Sequence, residues 1–168
     1  MDCKTIQDAV QKWLYECNHH YQALNYGKTG YHEADVLGIT LSKLVTEVEV
    51  KISLSYFKAD FRKKHKHHRF SNPKEDGSSK VPNRFYYACP AHMIKEVPAY
   101  AGLLYIDKLG NLEVIKVAPM LHKVKADDKL MIGMLQNLTA KTIFGCQYMT
   151  YKNKEKQKWI EANYPDMK

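Results

Sequence analysis

Leu44-Val45-Thr46-Glu47-Val48-Glu49-Val50-Lys51-Ile52 alternates charged and β-branched residues over most of its length. Alternate residues of a strand share a face, so Glu47, Glu49 and Lys51 project together while Val48, Val50 and Ile52 face a core. A half-exposed strand with an incidental Glu–Lys pair accounts for this pattern without any function. The preceding run, Ala34-Asp35-Val36-Leu37-Gly38-Ile39-Thr40, weighs against that reading. If the two strands form a hairpin turning near Ser42, position 35 lies opposite position 49, within one residue. Directly opposed Cβ atoms sit about 4.5–5.5 Å apart, and like charges there are destabilising. Asp35 also interrupts an apolar run, where an unpaired carboxylate is costly. Two carboxylates meeting at a buried strand call for a cation, most simply Mg²⁺ with its preference for oxygen ligands. Lys51 lies roughly 6.6 Å beyond Glu49 on the same face, where an ammonium could hold a water or a phosphate oxygen. Two acids, a divalent metal and a lysine suit attack of water on a phosphodiester.

Working outward, Ile6, Val10, Trp13 and Leu14 recur at helical spacing and predict an amphipathic helix over residues 4–16. Tyr21 to Tyr26 reads as a short strand closed by the turn Gly27-Lys28-Thr29-Gly30. After the third strand, Ser53 or Ser55 can cap a second helix reaching about His65, with Phe57 and Phe61 facing the core. Residues 71–83 lack any apolar period and read as a loop. Arg84–Cys89, Ala101–Ile106 and Leu112–Val117 follow as strands, the last two joined by Lys108-Leu109-Gly110-Asn111. Leu130 to Phe144 is helical by pattern, and Glu155 to Ala162 suggests a short terminal helix. The order is α-β-β-β-α-β followed by further strands and helices, one mixed α/β domain over 1–168. Its core spans about 4–118, with a C-terminal helical extension over about 127–164.

The 168 residues, 45% apolar and 26% charged, suit one globular domain and exclude a disordered chain. No apolar run approaches the roughly 20 residues of a membrane span. Met1-Asp2-Cys3-Lys4-Thr5 lacks the apolar stretch of a signal peptide, so a cytoplasmic protein without membrane association is expected. Cys3, Cys17, Cys89 and Cys146 are too scattered for a disulfide framework, which leaves no disulfide-linked partner. His65, His67 and His68, or Cys17 with His19 and His20, lack the second pair that a zinc site needs.

The net charge is +8, and the segment Lys58–Arg69 holds six Lys or Arg against one Asp, five of the eight net positive charges. Lys58, Arg62, Lys66 and Arg69 recur at i, i+4, i+8 and i+11, one face of a helix that starts just beyond Lys51. A solvated face explains such a run in an arbitrary protein. Beside a phosphodiesterase-like site it reads instead as a track for nucleic-acid phosphates, with Lys64 and His65 adding contacts. Tyr86 or Tyr87 could stack on an unpaired base.

Asp35, a spacer and Glu49-Val50-Lys51, set in that element order, resemble the PD-(D/E)XK nuclease superfamily. The closer resemblance is to small bacterial and phage proteins of the MmcB-like DNA-repair nuclease type. Those show an acidic strand, a Glu-Val-Glu-Val-Lys-like strand, then Ser and an Asp-Phe-x-x-Asp-like helix rich in lysine. Here the strands read Glu33-Ala34-Asp35-Val36-Leu37 and Glu47-Val48-Glu49-Val50-Lys51-Ile52-Ser53. The helix reads Phe57-Lys58-Ala59-Asp60-Phe61-Arg62-Lys63-Lys64-His65. Arg84-Phe85-Tyr86-Tyr87-Ala88-Cys89-Pro90 and Val97-Pro98-Ala99-Tyr100-Ala101-Gly102-Leu103-Leu104 look like the family's later strands, so the resemblance covers about residues 5–118. Two positions depart from it: Tyr56 stands where the family helix often carries Asp, and Ala34 where Pro often precedes the acid.

The resemblance implies a restriction-endonuclease-like fold, with an αβββαβ core around a mixed central sheet. It also implies a Mg²⁺- or Mn²⁺-dependent nuclease that hydrolyses DNA by metal-activated water, in DNA repair, recombination or phage DNA metabolism. Asp35 and Glu49 would ligate the ion with the Val50 backbone carbonyl, and Lys51 would position or deprotonate the water. Glu16, from the first helix, is a candidate additional ligand, and Glu33 and Glu47 are candidates for a second metal. Lys58, Arg62, Lys64, His65, Lys66 and Arg69 would contact DNA. The alternatives are a non-catalytic nucleic-acid-binding module on the same fold, or a phage or defence protein acting through a protein partner. A homodimer is left open.

Overall fold

The computed structural model describes residues 1–27, 33–62, 64–73 and 81–144, with the side chains of Lys64 and Phe144 outside that set. The helix expected over 155–162 and most of the loop expected over 71–83 lie outside the described residues. The architecture is mixed α/β. Helix α1 (Cys3–Glu16) precedes strands β1 (Tyr21–Tyr26), β2 (Ala34–Ile39) and β3 (Val45–Val50). Helices α2 (Leu54–Asp60) and α3 (Lys64–Ser71) follow, then β4 (Arg84–Pro90), β5 (Ala101–Ile106), β6 (Leu112–Lys116) and α4 (Asp128–Phe144). The six strands lie in chain order in one sheet. β1, β2 and β3 form an antiparallel meander, β3, β4 and β5 run parallel, and β6 closes antiparallel to β5.

Local chemistry accounts for most of these boundaries. Asp2 caps α1 by accepting the Thr5 amide, and Ser53 caps α2 by accepting the Tyr56 amide. The apolar stripe Ile6, Val10 and Leu14 packs on Val36, Val48, Val50, Tyr86, Ala88, Leu104 and Ile106, one face of the sheet. The opposite face is covered in two parts. α4 packs Leu130 and Met134 against Ala23, Leu37, Ile39 and Val45. α3 brings Phe70 against Phe85, Tyr87, Leu103 and Tyr105. All six residues of β3 are therefore buried, including Glu47 and Glu49.

Three sequence expectations need correction. The strand ends at Val50, so Ile52 lies beyond the core and is exposed. Phe57 is half-buried, but Phe61 is turned outward and is 38% exposed. The single basic helix is two helices, broken between Asp60 and Lys64. Asp60 and Lys66 both turn inward toward β3, Asp60 on Lys51 and Lys66 on Glu47 and Glu49. On a continuous helix these two positions would point about 120° apart, and the break allows both to reach the same strand.

Gly102 is fixed by close approach. A Cβ there would overlap the Tyr86 ring and come within 2.7 Å of the Ala118 backbone nitrogen. Tyr86 packs edge-on to Trp13 in the core, so neither neighbour can withdraw cheaply. Gly102→Ala is expected to cost about 1–3 kcal/mol through overpacking, read as a lower urea midpoint at unchanged slope. An unshifted midpoint would refute the close contact.

Candidate active site

The β2–β3 ladder runs from Ile39↔Val45 to Val36↔Val48, so the next row sets Asp35 against Glu49, as the hairpin argument expects. At that row the strands part. The Val50 amide, which points toward β2, donates instead to Asp35 Oδ2 at 2.7 Å. On its other side β3 stays paired to β4, with Val50 beside Ala88 and the Lys51 amide bonded to the Ala88 carbonyl at 2.9 Å. Within a strand the N–H and C=O of one residue point to the same side, so the Val50 carbonyl also faces the gap beside Asp35. One row of side chains thus crosses the sheet as Asp35, Glu49, Tyr87 and Leu103. Asn25 adopts a positive φ of 43° and accepts a hydrogen bond from Gln7 Nε2 at 2.9 Å. Gln7 also reaches the Asp35 carbonyl at 3.4 Å.

Around this row the protein buries an ion network. Lys51 Nζ lies 2.8 Å from Glu49 Oε1 and 3.2 Å from Asp60 Oδ1. Lys66 Nζ lies 2.7 Å from Glu49 Oε2 and 3.0 Å from Glu47 Oε1, with its ammonium 5.0 Å from the centre of the Phe85 ring. The Tyr87 hydroxyl donates to Asp60 Oδ2 at 3.0 Å. His67 Nε2 lies 2.9 Å from the Asp60 carbonyl oxygen, and its Nδ1 is 2.5 Å from the Tyr100 hydroxyl. Among the described residues, Glu49 and Asp60 meet Lys51, and Glu47 and Glu49 meet Lys66, with Asp35 on the Val50 amide beside them.

The protonation balance follows. Burial, and then the charge of Glu49, push the Asp35 carboxyl up to about 6, against the Val50 amide and the two lysines. Burial pulls the Lys66 ammonium down, but Glu47 and Glu49 outweigh it and hold the group above the ordinary lysine value. Burial and the charge of Asp60 raise the Tyr87 phenol far above its usual range, so it stays a hydroxyl donor.

A divalent ion at this row would relieve the Asp35–Glu49 repulsion that, after burial, raises Asp35. Among the described residues no group of three or more His, Cys, Asp or Glu converges on one point. An ion would therefore rest on the Asp35 and Glu49 carboxylates and on backbone, water or substrate oxygens. Mg²⁺ commonly binds in this way, through one or two carboxylates plus substrate phosphates.

The other predicted residues divide. Lys58, Arg62 and His65 are exposed beyond Lys51, Arg69 is half-buried, and the Lys64 side chain lies outside the described residues. Lys66 does not belong to an outer basic face: it is 7% exposed and holds Glu47 and Glu49. Glu47 is fully buried, with its Oε1 3.0 Å from Lys66 Nζ. Glu33 is exposed just ahead of β2. Glu16 is exposed in the last turn of α1. It lies nine residues past Gln7, about 13 Å along the helix, and Gln7 is the α1 residue that reaches Asp35. Tyr86 and Tyr87 are buried and offer no face to a base. Sequence reasoning missed Asp60, although it is the one acid within the basic segment 58–69. The tertiary partners Tyr87, His67 and Tyr100 carried no comparable signal.

A groove of about 640 Å³ opens elsewhere, between α1 and α4 at the start of β1, lined by Tyr15, Tyr21, Met131, Leu135 and Leu138 among others. The described residues that line it include no carboxylate and none of the predicted site residues. No helix among the described residues is long and apolar enough to cross a membrane, and the described cysteines, Cys3, Cys17 and Cys89, are free thiols.

No protein-family model matches the chain, and no curated protein matches it. Among solved structures, the SPO1766 protein of unknown function from Silicibacter pomeroyi is similar. It aligns with a TM-score of 0.57 and 14% identity over 100% of this chain and 96% of that one. At that identity the likeness is one of fold.

Two stability measurements test the network. The folded carboxyl of Asp35 titrates near 6, above the roughly 3.9 of an unfolded chain. Its proton-linked stabilisation is thus complete below about pH 4 and lost as pH rises through about 6. Asp35→Asn, which can still accept the Val50 amide, should gain Tm relative to wild type between about pH 4 and pH 8 in EDTA. A Tm difference that does not change with pH would contradict this. Lys66→Met removes the ammonium shared by two buried carboxylates and should cost about 3–5 kcal/mol by urea unfolding. A loss under about 1 kcal/mol would mean that the ion pairs are solvated.

Proposed function

We propose that the protein is a divalent-metal-dependent phosphodiesterase that hydrolyses DNA. The observation that carries this reading is the meeting of Asp35 and Glu49 where β2 and β3 part, with the Lys51 ammonium 2.8 Å from Glu49. Two carboxylates beside a basic surface would repel a phosphate backbone unless a cation lies between them. When bound, Mg²⁺ or Mn²⁺ would neutralise charge on the phosphate and make water a better nucleophile. Asp35, Glu49 and the Val50 carbonyl supply the oxygens that would hold it.

Lys51 is fixed from two sides, by Glu49 and by Asp60, so its ammonium needs little reorganisation to orient a water or stabilise the negative charge that develops on phosphorus. In the reaction a water oxygen bonds to phosphorus and the ester P–O bond breaks. The departing oxygen takes up a proton, leaving an alcohol and a phosphate monoester. Lys58, Arg62 and His65, exposed beyond Lys51, would contact backbone phosphates on the way to the site.

A non-catalytic nucleic-acid-binding module is the second reading. It is favoured by the engagement of both Glu49 oxygens with lysines, which leaves the carboxylate partly neutralised. Incubation of the protein with single-stranded, duplex and branched DNA separates the two. Cleavage that needs Mg²⁺ or Mn²⁺ and falls about 100-fold or more in Glu49→Ala and in Lys51→Ala supports the phosphodiesterase. No cleavage of any substrate, or equal cleavage by the variants, would reject it, and salt-sensitive binding that survives Glu49→Ala would select the module.

A further inference from the structure

We infer that the DNA strand entering this site is unpaired, and that the ring of Tyr56 is the platform on which one of its bases stacks. The inference rests on the phosphodiesterase reading only for where the strand is led. Its basis is the surface of α2 next to Lys51. Asp60 lies at the inner end of that helix, its carboxylate buried and 3.2 Å from Lys51 Nζ. Tyr56 precedes it by one turn on the same helical face, about 5–6 Å away between Cβ atoms, yet is 60% exposed. The face of α2 that reaches the candidate catalytic lysine at one end therefore presents an aromatic ring to solvent at the other.

The surroundings fit stacking and suit no inward packing role. Ile52 and Leu54, 43% and 49% exposed, extend the apolar surface on the chain leading from Lys51 into α2. Ser53 Oγ accepts the Tyr56 amide at 3.2 Å and fixes the first turn. Phe57, the neighbour that does pack inward, stands edge-on to Tyr87 and Phe61 at 5.0 and 5.1 Å and anchors the helix from below. Lys58, Arg62 and His65, later in the chain, are exposed and offer cations for phosphates. An exposed aromatic face with apolar neighbours and flanking cations is the combination that holds single strands, since every base has a face to stack. A duplex hides those faces in its own stack and offers phosphates and groove edges, for which an exposed tyrosine ring supplies no matching surface. Tyr86 and Tyr87, the aromatics next to the candidate metal-binding row, are buried and cannot take this role.

The test is fluorescence anisotropy of the full chain with a labelled single-stranded oligonucleotide and with the matching blunt duplex, Ca²⁺ replacing Mg²⁺. Wild type should bind the single strand more tightly than the duplex. Tyr56→Ala should weaken single-strand binding about 10- to 100-fold, leave duplex binding unchanged, and keep the wild-type Tm because the ring is exposed. Tyr56→Trp should restore the affinity. A preference for duplex, or a Tyr56→Ala variant that weakens both substrates equally or neither, would overturn the inference. Selective single-strand binding by a protein that cleaves nothing would reject the phosphodiesterase and leave the platform standing. Metal-dependent cleavage confined to intact duplex would do the reverse.

Discussion

Glu49 accepts a lysine at each carboxylate oxygen, Lys51 at Oε1 and Lys66 at Oε2, in a part of the sheet covered on both faces. Most of what is unusual in the structure follows from that constraint. Charges withdrawn from water cost several kcal/mol each, and mutual attraction recovers this only where geometry and further hydrogen bonds are good. Each member accordingly has a second contact. Lys51 also meets Asp60, Lys66 also meets Glu47 and the Phe85 ring, and Asp60 takes the Tyr87 hydroxyl. Apolar residues of similar volume often fill such a space with no loss of stability, so the network is weak evidence for stability.

The same constraint shapes the helices. A continuous helix after β3 would present a tidy basic stripe to solvent, which is how the spacing of Lys58, Arg62, Lys66 and Arg69 reads. The structure breaks it so that Asp60 and Lys66 can both turn onto β3. The net positive charge of the segment is then divided between two tasks. Lys66 neutralises buried carboxylates, while Lys58, Arg62 and His65 stay at the surface. Conflict of this kind between local pattern and global arrangement is expected where a chain carries function.

Among the described residues, Asp35 is the carboxylate of the network that has no lysine at ion-pair distance. It holds the Val50 amide, faces Glu49 across the opened strands, and is raised to about 6 as a result. An apolar pair at this row would leave no side chain to compete for the Val50 amide, and the β2–β3 ladder could continue. Instead the hydrogen-bonded rows stop at Val36↔Val48, and a carboxylate, an amide and a carbonyl share the gap. The fold-level likeness to the Silicibacter pomeroyi protein runs the length of the chain but, at 14% identity, says nothing of this chemistry.

How much was legible in the chain depends on the range of the interaction. Strand β1 and the strands β2 and β5 follow from alternation and turn residues within a few positions of the expected ends. The opposition of Asp35 and Glu49 also followed from sequence, because a short hairpin fixes its register and so determines which side chains face each other. The pairing of Lys51 with Glu49 needed only the two-residue period of a strand. What the sequence could not supply was direction for long, flexible side chains on helices: Lys66 inward and Phe61 outward, Gln7 rather than Glu16 toward the site, and Asp60 as the second anchor of Lys51. Those outcomes depend on where α1, α2 and α3 cross the sheet, and such crossings are set by contacts between residues far apart in the chain. Local pattern therefore determined the acidic row and its lysine, and tertiary packing decided which charges neutralise it and which remain at the surface.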